Sequence, residues 1–139
     1  MLEHDVILAK VANIQRCLRR INEVTGNNPE SLDDINKQDI FVLNLQRAIE
    51  STIDIATHII SSEGLGLAST IKENFKILYE SGIIDRELMK KMQAIVGFRN
   101  IAVHDYTSID VEILKSILKN NLKDIEEFYT LILKRFNIK

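Results

Sequence analysis

The sequence predicts an all-α protein, a single bundle of about five helices over residues 1–139. Three observations lead there. Apolar residues recur at alternating spacings of three and four, the period that lays a stripe along one face of a helix. With one proline and five glycines, the chain has too few breakers for many short strands and turns. No stretch alternates apolar and polar residues as a half-buried strand does.

The first helix is expected from about Glu3 to Thr25, with Ile7, Val11, Ile14, Leu18 and Ile21 on one stripe. Gly26-Asn27-Asn28-Pro29 ends it: Gly and Asn tolerate the left-handed cap, and Pro cannot continue a helix. A polar stretch, Glu30 to Asn36, leads to a second helix from about Lys37 to Ser62. Its stripe holds Phe41, Leu45, Ala48, Ile49, Thr52, Ile55, Ala56 and Ile59, and Gly64-Leu65-Gly66 follows. Thr70-Ile71-Lys72-Glu73 matches a capping box and opens a short third helix carrying Phe75, Leu78 and Tyr79, stopped at Gly82. Asp85 suits the N-cap of a fourth helix with Leu88, Met92 and Ile95 inward, ending between Phe98 and Tyr106. A long fifth helix begins near Asp110 and carries Val111, Leu114, Leu118, Leu122, Ile125, Tyr129 and Ile132. The first and fifth helices are apolar enough that a lone bundle can bury them and a dimer would bury them more fully.

Composition narrows the class. A chain of 139 residues, 45% hydrophobic and 27% charged, supports one folded domain with a real core. A net charge of −2 argues against a broadly basic nucleic-acid binder, so any RNA contact must come from a local patch. Cys17 is the only cysteine, which fits a reducing compartment. The first residues carry neither the basic nor the apolar region of a signal peptide, and no apolar run is long enough to span a bilayer. A soluble, cytoplasmic protein without membrane association is expected. His4, His58 and His104 have no metal-ligand spacing, so no metal is expected. No glycine-rich phosphate loop follows a strand pattern, so no cofactor is expected either.

The stretch most in need of explanation is Gly97 to Tyr106. Arg99 lies four residues after Ile95 and seven after Met92, which puts a guanidinium on the core stripe, where it is costly unless paired. Two readings are open: a buried ion pair, or the wall of a cleft that receives an anion. His104 follows five residues later. On an ideal helix that is about 140° around the axis and about 7.5 Å along it, so the two converge only if the helix loosens or the arginine curls over. RNA cleavage without a metal needs a proton acceptor, a proton donor and a cation for the phosphate. Histidine can do either proton job, and the arginine fork suits a phosphate. A histidine at a helix end also commonly serves only as a cap or a polar contact.

The run Arg99-Asn100-Ile101-Ala102-Val103-His104-Asp105-Tyr106 resembles the signature of the HEPN superfamily. In its fuller form, arginine, four residues, histidine, one residue, tyrosine, it resembles the HepT toxins. Gly97-Phe98, Gln46-Arg47-Ala48, the Asp54–Ile60 run and the helix layout are similar to that family too, over essentially the whole chain. The resemblance implies an all-α homodimer with two motifs facing a shared cleft, acting as a metal-independent endoribonuclease that arrests growth. It implies a type VII-like toxin–antitoxin pair, in which an MntA-type nucleotidyltransferase antitoxin transfers AMP from ATP to the motif tyrosine. Carried over, Arg99 would contact the scissile phosphate, His104 would be the acid–base residue, Asn100 would orient the site and Tyr106 would be the modification site. AMP on Tyr106 would set a phosphate beside Arg99 and His104 and block RNA.

Arg47, Asp54 and His58 share a stripe of the second helix. They make either a second wall of the cleft, with Asp54 orienting a base or pairing with Arg99, or an ordinary solvated face. Arg16, Arg19 and Arg20 on the first helix and Lys90 and Lys91 before the motif either hold the RNA backbone or are solvated. The alternative function is a non-catalytic HEPN helper subunit of a nucleotidyltransferase, which would have little need for both Arg99 and His104. A third reading makes Arg99 purely structural.

Overall fold

Spacing turns into packing most directly in the first two helices. The computed structural model describes residues 2–104 and 110–139, with residues 100–104 described by backbone alone. Its α-helices are α1 (His4–Thr25), α2 (Ile35–Glu63), α3 (Ile71–Glu80), α4 (Arg86–His104), α5 (Val111–Asn120) and α6 (Leu122–Arg135), with a 3₁₀ turn at Pro29–Asp33. No strand occurs among the described residues. Ile7, Val11, Ile14 and Ile21 of α1 are buried as their spacing requires, and Cys17 rather than Leu18 fills the remaining place on the stripe. Every residue assigned to the α2 stripe is buried. The two helices pack as the main antiparallel pair. Asn13 Nδ2 donates to Ser51 Oγ at 2.6 Å between them, which satisfies the polar pair at their seam.

The helix ends follow from their cap residues. Gly26 ends α1 at φ 61°, and its N–H donates to the Asn22 carbonyl at 2.7 Å. Asp34 caps α2 by accepting from the Asn36 amide at 2.9 Å, so α2 starts two residues earlier than its apolar stripe indicates. The polar linker before it is a 3₁₀ turn anchored by fully buried Leu32. Thr70 Oγ1 accepts from the Glu73 amide at 3.2 Å, as a capping box requires, but the Glu73 carboxylate reaches back to the Ser69 amide at 3.2 Å. Asp85 Oδ1 accepts from the Leu88 amide at 2.8 Å and caps α4.

The long fifth helix expected from the sequence is two helices. The chain turns at Asn121 (φ −112°, ψ −20°), so α5 leans on the 3₁₀ turn while α6 packs on α4 and α2. Asn121 is a weak helix former whose side chain competes for backbone partners. The apolar period runs through it because both pieces face the same core. Phe75 of α3 and Phe128 of α6 meet edge to face, 5.6 Å between centroids. Among the described residues no helix is long and apolar enough to cross a membrane.

Candidate functional site at the end of α4

Leu88, Met92 and Ile95 carry the inward stripe of α4, and Arg99 continues it toward the helix end. Its guanidinium is met by a carboxylate from α2: Arg99 Nε donates to Glu50 Oε1. The arginine side chain is 28% exposed and the glutamate 40%. The pair is therefore neither buried nor fully solvated, and Glu50 is the one carboxylate that Arg99 meets among the described residues. Arg99 also lines a cavity of about 320 Å³ with Thr70, Ile71, Lys72 and Val96. Arg99 thus has a carboxylate partner on one side, in a pair that is not buried, and borders a cavity on the other.

Glu50 escaped the sequence reading although a signal was present. It lies three residues after Arg47 and four before Asp54, on the same stripe as both. Asp54, offered as a partner for Arg99, instead accepts from Lys10 Nζ of α1 at 2.9 Å. His58 Nε2 accepts from the Glu3 backbone amide at 3.2 Å and lies 3.3 Å from Ser62 Oγ. Asp54 and His58 therefore fasten α1 to α2. Arg47 is exposed on the stripe. Arg47 and Arg16 both oppose the rise in the Cys17 thiol pKa that burial causes, which places them about that residue. A thiol pushed up in this way is a poor nucleophile.

The outlying cations divide. Lys91 bonds Glu127 of α6 at 3.2 Å and lies 3.8 Å from Glu87. The Glu127 hydrogen bond holds its ammonium above the ordinary lysine range, so it serves to join α4 to α6. Arg16 is hydrogen-bonded to Asn13 Oδ1, and Arg20 lies 3.8 Å from Glu23. Lys90 is exposed, and Arg19 lines a surface cavity with Lys119 and Lys123. The side chains of Asn100 and His104, and Tyr106 altogether, lie outside the described residues, so the sequence assignments to them stand as proposals below. Among the described residues no cluster of three or more His, Cys, Asp or Glu could hold a metal ion.

A helical bundle with an arginine in the last turns of its fourth helix, five residues before a histidine, is the arrangement expected of a HEPN-type protein. Residues 14–132 match the family described as ribonuclease HepT-like, and the chain belongs to it. It is 37% identical over 129 residues to the mRNA nuclease HepT of Shewanella oneidensis, covering 93% of this chain and 97% of that protein. Among solved structures it is similar to a toxin–antitoxin complex with AMP-PNP, at TM-score 0.87 and 36% identity over 94% of this chain and 98% of the other. It is also similar to a tri-AMPylated Shewanella oneidensis HEPN toxin in complex with its MNT antitoxin, at TM-score 0.86 and 37% identity over 94% and 98%.

Proposed function

We propose that this chain is an endoribonuclease toxin that cleaves RNA without a metal, by attack of a ribose 2′-hydroxyl on the neighbouring phosphodiester. The observation that carries the reading is the setting of Arg99, a guanidinium held from one side by Glu50 and open to a cavity on the other, in a chain alike over its length to a protein named mRNA nuclease HepT. Such a fork suits two phosphate oxygens at once and stabilises the charge that builds as the fifth oxygen bonds to phosphorus. His104 moves the protons and Asn100 orients the site.

Cleavage needs two proton transfers, one from the 2′-hydroxyl and one to the leaving 5′-oxygen. One His104 per chain covers one of them, and a homodimer with the two motifs on a shared cleft supplies the second. Arg16, Arg19, Arg47 and Lys90 remain available to the RNA backbone.

Control would fall to an MntA-type nucleotidyltransferase antitoxin. The Tyr106 hydroxyl gives up its proton and attacks the α-phosphorus of ATP. A tyrosyl O–P bond forms and pyrophosphate leaves. The added phosphate would occupy Arg99 in place of RNA. Growth after induced expression of the wild type, beside His104→Ala at equal soluble levels, tests the reading. Arrest by the wild type alone is expected. If the wild type does not arrest growth when expressed without a partner, the toxin reading fails and the helper-subunit alternative takes its place.

A further inference from the structure

The Arg99 cavity does not stop at α4. It shares Thr70 and Ile71 with a larger cavity of about 690 Å³, walled by the end of α2, the 64–69 loop and the start of α3. The two adjoin at Thr70 and Ile71, so that a groove can be followed from Arg99 toward the end of α2, each part of the size that small-ligand sites occupy. Lys72 lines its near end. The Lys72 ammonium lies 3.9 Å from where a Cβ would stand on Gly97, two residues before Arg99. Lys10, Lys91 and Lys115 are all engaged by carboxylates, whereas among the described residues no carboxylate pairs with the Lys72 ammonium. Glu73, the carboxylate nearest in sequence, is turned to the Ser69 amide and hydroxyl.

We propose that this groove is the subsite for the nucleotide next to the scissile phosphate, with Lys72 holding that nucleotide's backbone phosphate. The proposal rests on the ribonuclease reading above. Single-stranded RNA asks for a cation on its backbone, a surface for an unstacked base and hydroxyl partners for the ribose. The far part of the groove presents the last two. Leu67, 94% exposed, offers an apolar surface, and Thr57 and Ser61 offer hydroxyls. The loop itself leaves room, since a Cβ added at Gly64 or Gly66 would meet no atom within 4 Å.

The test uses the full chain and single-stranded oligoribonucleotides. In a His104→Ala background, binding of a labelled hexanucleotide is followed against salt for Lys72, Lys72→Gln and Lys72→Arg. Loss of one phosphate contact should lower the slope of log affinity against log salt by about 0.7, and Lys72→Arg should restore it. In the otherwise wild-type chain, Lys72→Gln and Leu67→Glu should raise KM for the hexanucleotide several-fold with kcat little changed. Turnover of a dinucleotide, which has no second backbone phosphate, should depend far less on Lys72 than turnover of the hexanucleotide does. Unaltered salt slope and KM in a protein that cleaves RNA would overturn the subsite alone. Failure of the wild type to bind or cleave any RNA would overturn the ribonuclease reading and the subsite with it.

Discussion

Two cations of this molecule stand in opposite situations. Lys115 of α5 is saturated: its ammonium lies 2.9 Å from Asp33, 3.2 Å from Glu30 and 3.4 Å from Glu112, and its side chain is only 12% exposed. Arg99 of α4 has a single carboxylate partner among the described residues, Glu50, and opens on a cavity. The lysine clamps α5 to the 3₁₀ turn and has no donor left for anything else. The arginine has no second carboxylate among the described residues. A cation whose charge is fully answered within the fold belongs to stability; under the function proposed above, one with a single carboxylate among the described residues and a groove beside it receives an anion from outside.

The largest effect should separate the two at once. Arg99→Ala is expected to lower RNA cleavage on the order of 10²–10³-fold, the loss seen when one preorganised donor to a reacting oxyanion is removed. It should cost about 1 kcal/mol of stability or less, as for other half-exposed pairs. Cleavage assays beside thermal melts decide it. A large drop in melting temperature with cleavage intact would return Arg99 to the structural class and erase the contrast.

Glu50→Gln should act less strongly and through the arginine. The amide keeps the shape and removes the charge that holds the guanidinium in place, and small misplacements in a reacting centre cost up to about 10²-fold. A fall in kcat, with partial retention by Glu50→Asp, is the expected kinetic pattern. Equal kcat in wild type and Glu50→Gln would reduce Glu50 to a surface partner. Lys115→Met, by contrast, should lower the melting temperature by a few degrees and leave cleavage untouched, because it unfastens α5 from Glu30 and Asp33 far from the groove in sequence and in contact.

How far the sequence carried differs between fold and site. The helices were legible because their stripes are long and their stops chemical: Gly26 after α1, Thr70 before α3, Asp85 before α4. The break at Asn121 was hidden because α5 and α6 keep their apolar faces in phase on one core. Arg99 stood out through its place on an apolar stripe. Its partner did not, because pairing across 49 residues is decided by how α2 and α4 pack, which no local spacing records. The same holds for Lys72, carried to the Arg99 cavity by a helix whose sequence shows only a capping box. Asp54 and His58 share the right stripe, yet α1 takes them first, through Lys10 and the Glu3 amide.

The smallest effect is also the most selective, since it titrates one member of the comparison. The hydrogen bond from Lys115 to Asp33, ahead of that to Glu30, pushes the lysine well above its ordinary range, against the opposing effect of desolvation. A lysine with a raised value in the folded state binds its proton more tightly there than in the unfolded chain, whose value is about 10.4. The stabilisation it lends is therefore complete below that value, declines as pH rises past it, and is lost once pH passes the folded value. The stability gap between wild type and Lys115→Met should be constant from neutral pH to about 10 and narrow above it. Denaturant titrations across that range measure the gap directly. A gap that stayed constant on the alkaline side would mean that the methylene stem of Lys115, packed rather than charged, fastens α5 to the turn.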